Sequence, residues 1–190
     1  VDADRIGLIG HSEGGLIAPM VALHAPERVS FAVLLAGPGV PGRDVLAQQT
    51  RLLWLSSGAP AELGERWGGM FDATLDRIRA GAERDEVIDG LMEIAREQTE
   101  LSGEKQDEAA LRSALGGQLE MLQSPWMRFF LEYDPAPALA SIQCPVLALN
   151  GTRDLQVWHE QNLDAIERIA ERSGADITVM RCAGLNHLFQ

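Results

Sequence analysis

Arg5-Ile-Gly-Leu-Ile-Gly10-His-Ser-Glu-Gly-Gly15-Leu-Ile-Ala18 decides the fold. Its first six residues are an apolar run too short for a helix and bounded by glycine. The next dozen change period. Leu16, Ile17, Met20, Val21, Leu23 and His24 recur at helical spacing as far as Ala25-Pro26. Pro19 falls inside this stretch, removes one helical hydrogen bond and predicts a mild kink. Residues 30–36 form a second apolar run, cut off by Gly37-Pro-Gly-Val-Pro-Gly42. Strand, helix and strand, with nearly continuous apolar strands, predict a buried parallel sheet.

Outward from there the pattern breaks. Between Gly42 and Tyr133 no strand-like run occurs. Leu63, Trp67, Met70, Phe71 and Ile78, then Val87, Leu91, Ile94, Ala95 and Leu101, then Leu111, Leu115, Leu119 and Leu122 recur with helical period. Ser124-Pro125 supplies an N-cap followed by proline at the first helical position. Residues 43–133 are therefore expected to be a helical insertion, between a first core segment (1–42) and a second (134–190). The sheet pattern resumes with Cys144-Pro-Val-Leu-Ala-Leu149. A helix with Leu163, Ile166 and Ile169 follows, and then a fourth strand at 177–180. The expected fold class is α/β, with about four parallel strands and an inserted helical cap.

The chain has 190 residues, within the span of one domain with an insert. No apolar run approaches the roughly 18–20 residues of a membrane helix. The formal net charge is −12, which argues against a nucleic-acid partner, whose phosphates need basic groups. Cys144 and Cys182 fall at opposite ends of neighbouring parallel strands, too far apart for a disulfide, and are read as free thiols. No cluster of His, Cys and carboxylates has metal-ligand spacing, so neither metal nor cofactor is expected. Gly37–Gly42 also fits G-x-G-x-x-G, but Pro41 spoils its N–H array and no acid-tipped strand follows. A dinucleotide site is rejected.

Gly10-His-Ser12-Glu-Gly14 fits G-x-S-x-G between a strand and a helix. A sharp turn there lifts the Ser12 hydroxyl above the sheet edge, with glycine on both flanks letting the backbone pass close to its neighbours. The Glu13 N–H, at the helix N-terminus, can stabilise an oxyanion. A serine hydroxyl needs a base. His187 follows the fourth strand, on the edge where parallel sheets place their sites. His11 adjoins the serine but is expected to point to the opposite face, and His24 and His159 are read as surface or capping residues. Asp154, just after the third strand, is the expected orienting carboxylate. Asp134 and Asp176 are its competitors.

The order Ser, Asp, His matches the α/β-hydrolases. Residues 10–18, 35–42, 124–135 and 186–190 resemble bacterial carboxylesterases of the EstD-like, dienelactone-hydrolase-related group. The resemblance implies ester hydrolysis through an acyl-enzyme and a small-molecule ester substrate; the acidic charge and the lack of a long apolar run predict no nucleic-acid or membrane partner. It implies a cap over the acyl pocket, lined by Trp126, Phe129 and Phe130. It also implies that the chain corresponds to the C-terminal two-thirds or so of the family fold. The strands before the nucleophile, the loop carrying a second oxyanion N–H and a final helix lie outside it. Loss of one oxyanion donor costs on the order of 10²–10³ in rate, so weak or absent activity is expected. With Val1 first, no signal peptide can be read, and a cytoplasmic location is favoured only by default. A prolyl-oligopeptidase-type peptidase and a thioesterase are alternatives within the class. A non-catalytic or degenerate module is the alternative outside it.

Overall fold

A computed structural model describes residues 6–103 and 107–190. Arg5, counted in the first apolar run, lies outside the described residues. The elements, in order, are β1 (Ile6–His11), α1 (Glu13–His24), β2 (Val29–Leu35), α2 (Gly42–Ser56), α3 (Ala61–Arg79), α4 (Arg84–Ser102), α5 (Glu108–Leu122), α6 (Pro125–Glu132), α7 (Ala136–Ser141), β3 (Val146–Gly151), α8 (His159–Ser173) and β4 (Ile177–Cys182). The chain divides into two compact units. One takes the sequence up to Gln49 and from Tyr133 onward, the other Thr50–Glu132. The first boundary falls inside α2.

The first unit is a four-stranded sheet in the order β1-β2-β3-β4, parallel throughout. Its register pairs Leu8 with Ala32, Ala32 with Val146 and Val146 with Ile177. Those residues share one face, because side chains alternate along a strand. On that face α1 packs against β1 and β2, α8 against β3 and β4, and α7 lies between the two helices. Ala18, Ala22, Leu139, Leu163, Ile166 and Ile169 meet Ala32, Leu34, Val146 and Ala148 in one core.

The other face departs from the expectation of a sheet buried on both sides. Ile9 is 70% exposed, Met180 50% and Phe31 45%. The strands are apolar on both faces, as a doubly covered sheet demands, but the described helices of this unit cover one. β1 and β4 are the edges of this sheet.

The second unit is helical. α3 packs on α4, α4 on α5, and α6 touches α3 and α5. Its interior holds Trp67, Leu75, Ile78, Val87, Met92 and Leu119. Trp54, on the C-terminal half of α2, stacks edge-on against Trp67 with ring centroids 5.7 Å apart. The Trp67 indole N–H donates to Glu97. Asp107 caps α5, its carboxylate accepting from the Ala109 and Ala110 N–H groups. Ser124 caps α6 as its sequence predicts, accepting from Met127 N–H at 3.2 Å. Arg96–Glu108 and Arg112–Asp89 lie on exposed faces, where such pairs contribute little. Among the described residues no helix is long and apolar enough to cross a membrane.

Candidate active site

β1 ends at His11 and α1 starts at Glu13, so the whole reversal falls on Ser12. Its backbone sits at φ 55°, ψ −116°, a region a side chain rarely adopts and one that costs about 1–3 kcal/mol. The turn is held on both sides. Ser12 N–H continues the sheet by donating to Leu35 O at 2.8 Å, and Ser12 O accepts from Gly15 N–H at 2.9 Å. The hydroxyl makes no capping bond to α1. Glu13, the first residue of α1, presents an N–H with no partner inside its own helix.

The expected glycines divide by role. A Cβ on Gly10 would lie 1.9 Å from Gly14 O, so the first turn of α1 crosses directly over Gly10. A Cβ on Gly15 would lie 2.6 Å from the Cα of Gly37. One on Gly14 would meet open space. The second glycine of G-x-S-x-G is therefore not the one the packing demands, a correction to the reading that both flanks need it. The close approach is made one residue later.

Asp154 and His187 are brought together. His187 Nδ1–H donates to Asp154 Oδ2 at 2.8 Å, with Asp154 1% and His187 7% exposed. The other carboxylate oxygen accepts from Gln156 N–H at 2.8 Å and Val157 N–H at 2.9 Å. This fixes the carboxylate and, with it, the imidazole tautomer, leaving Nε2 as the free basic nitrogen. Buried Asn150, at the end of β3, shapes the same loop. Its amide donates to Val157 O at 2.6 Å and its oxygen accepts from Gly151 N–H at 2.7 Å.

The loop after β4 is stitched to the loop after β3. Arg153 N–H donates to Leu185 O, and Gly184 N–H to the Thr152 hydroxyl. A Cβ at Gly151 would stand 2.1 Å from Leu185 O, so only glycine allows the two loops this close. Asn186 folds the loop on itself, its side-chain oxygen accepting from Leu188 and Gln190 N–H groups.

Ser12 lies on the turn after β1, at the same end of the sheet as the loops after β3 and β4. Among the described residues its hydroxyl makes no hydrogen bond with His187. What joins the two segments is His11. Its ring lies 4.7 Å from that of His187, and its Nε2–H donates to His187 O at 2.8 Å. Alternation along β1 gives His11 the face opposite the helices, and the His187 loop folds across that face. His11 therefore meets the His187 loop from that opposite face.

The competitors have local tasks. Asp134 accepts from Ala136 N–H at the start of α7, and Asp176 O accepts from Val146 N–H at the opposite end of the sheet from Asp154. His24 donates to Met20 O within its own helix. His159 opens α8, and its Nδ1 is buried without a partner. Trp126, Phe129 and Phe130 gather on α6 in the second unit, Trp126 lying edge-on to Phe130 at 5.2 Å. Gly39, in the rejected dinucleotide pattern, donates its N–H to buried Asn162. Cys144 and Cys182 are free, and burial pushes the Cys144 thiol up, away from the reactive thiolate. Among the described residues no group of three or more His, Cys, Asp or Glu could hold a metal.

A parallel sheet with a strained serine turn after one strand, and a buried Asp–His pair on the loops after two others, defines a hydrolase architecture. The sequence model of the alpha/beta hydrolase family matches residues 1–190, and the chain belongs to that family. Among solved structures it is similar to an acylaminoacyl peptidase from Pyrococcus horikoshii, with a TM-score of 0.50 and 12% identity over 98% of this chain and 20% of that one. A thermophilic esterase from Thermogutta terrifontis is 17% identical over 97% of this chain and 58% of that one, with a TM-score of 0.46. The meta-cleavage product hydrolase CumD from Pseudomonas fluorescens IP01 is 17% identical over 98% and 59%, with a TM-score of 0.45. At 12% identity the likeness to the peptidase is one of fold. The chain spans about three-fifths of the length of these last two proteins and a fifth of the first. No curated protein matches the sequence.

Proposed function

We propose that the chain is the part of a serine hydrolase that carries the nucleophile, the base and the acid, and that it acts on carboxylic esters. The observation that carries this reading is the buried His187–Asp154 hydrogen bond of 2.8 Å, at the same sheet end as the strained Ser12 turn. In this reading Ser12 Oγ attacks the ester carbonyl while His187 Nε2 takes its proton. Asp154 holds the imidazole and stabilises the imidazolium that forms. The Glu13 N–H donates to the developing oxyanion. His187 returns the proton to the leaving alkoxide, and water, activated by the same nitrogen, hydrolyses the acyl-serine and restores the hydroxyl.

Assignment to the EstD-like, dienelactone-hydrolase-related group rests on the resemblance of the quoted segments. So does a role for Trp126, Phe129 and Phe130 in holding the acyl group. A panel of nitrophenyl esters of rising chain length, beside peptide nitroanilides, tests the substrate class, and Trp126→Ala tests the aromatic contribution to chain-length preference. A fluorophosphonate probe tests the nucleophile. The expected product is one adduct on the Ser12 peptide, absent in Ser12→Ala and slowed in His187→Ala. Turnover or labelling that persists in Ser12→Ala overturns the reading.

A further inference from the structure

Apart from the turn bond from Leu185 N–H back to Cys182 O, four hydrogen bonds tie the loop at residues 183–190 to other segments among the described residues. Three go to Thr152, Arg153 and Asp154 on the neighbouring loop. The fourth, from His11 to His187 O, is the one that reaches β1, the strand ending at the serine. A carbonyl oxygen only accepts, so His11 must carry its proton on Nε2. The ring also packs on its neighbours. The His187 imidazole lies 4.7 Å away at 48°, and the Phe189 ring stands edge-on at 6.4 Å. Phe189 itself has φ 60°, so the loop turns sharply just beyond the contact. The bond is to the main chain of His187. It therefore leaves both ring nitrogens of His187 free for other partners, while constraining where the ring starts from.

We propose that His11 is a positioning residue for His187. Its Nε2–H pins the His187 main chain to the strand that carries Ser12, and its ring braces the His187 imidazole so that Nδ1 stays on Asp154 and Nε2 stays toward the serine turn. Asp154 sets the tautomer of His187; His11 sets its location relative to β1. The inference rests on His187 acting as the base of the proposed reaction.

The test uses the 190-residue chain with ring-¹⁵N-labelled histidine. In the parent chain His11 is expected as the Nε2–H tautomer, with the His187 Nδ1 proton at low field and protected from water. His11→Phe keeps a ring and removes the donor. It is expected to speed exchange of that proton about tenfold and lower kcat about tenfold, the worth of one hydrogen bond. KM should stay within about twofold, because the ground-state ester is not what His11 contacts. His11→Gln, with an amide donor at the same reach, is expected to restore both. Three results would each overturn the proposal. One is His11 found as the Nδ1–H tautomer in the parent chain, which needs no variant to fold. The others are an unchanged exchange rate in folded His11→Phe and a His11→Gln chain that behaves like His11→Phe. Turnover that survives Ser12→Ala would instead remove the serine-hydrolase reading, while the tautomer and exchange measurements still judge the contact.

Discussion

Gly15 and Gly37 pack backbone to backbone, so that a Cβ on Gly15 would stand 2.6 Å from the Cα of Gly37. This contact lets α1 leave the serine turn close against the segment after β2. Gly10 makes the matching approach beneath it, 1.9 Å from Gly14 O if it bore a Cβ, and backbone on both sides can move little.

The glycines of the turn should therefore respond unequally. Gly10→Ala and Gly15→Ala are expected to destabilise by about 1–3 kcal/mol, as forced overpacking does. Gly14→Ala, on open space within α1, is expected to be neutral or to stabilise by up to about 1 kcal/mol. Urea denaturation of the three variants checks the order. Gly14→Ala as the most damaging of the three would refute it.

Asp154→Asn tests the orientation of the base. The Asn oxygen can still accept from Gln156 and Val157, which turns its NH₂ toward His187 and favours the wrong imidazole tautomer. Turnover is expected to fall about 10⁴-fold, the scale of that change in a serine triad. Stability should change little. Initial rates on nitrophenyl esters and a thermal melt of the same sample separate the two effects.

Asn150 is the structural counterpart. It is fully buried, and its amide satisfies Val157 O and Gly151 N–H. Asn150→Leu strands both groups, and each buried unsatisfied group costs about 1–3 kcal/mol. The variant is expected to lose stability and to loosen the Asp154 loop together. Hydrogen exchange at Gln156 and Val157 N–H should accelerate beyond the global loss.

The bare sheet face has a solution consequence. Ile9 on edge strand β1, Phe31 on its neighbour β2 and Met180 on the opposite edge strand β4 are exposed on it, an arrangement that favours association. The isolated chain is expected to show concentration-dependent mass by light scattering, and Ile9→Lys should reduce it. A monomer at every concentration in the parent chain would refute this.

The sequence by itself was enough for everything local or periodic. Short apolar runs, helical spacing and the strand-to-helix serine turn place Ser12, the four strands and the helical insertion, because each depends on neighbours within a few residues. The positions of Asp154 and His187 at strand ends were legible for the same reason. Their 2.8 Å contact was not, since it depends on β3 and β4 lying side by side in register and on Gly151 admitting Leu185 O. The contact of His11 with the His187 loop was not legible, because alternation along a strand assigns a face but says nothing of what folds over it. Gly14 was overvalued and Gly15 undervalued because Gly37 meets this turn only after β2 returns beside β1. Strand composition implies cover on both sides of the sheet; which face is covered is decided in space, where α1, α7 and α8 all pack on the same one.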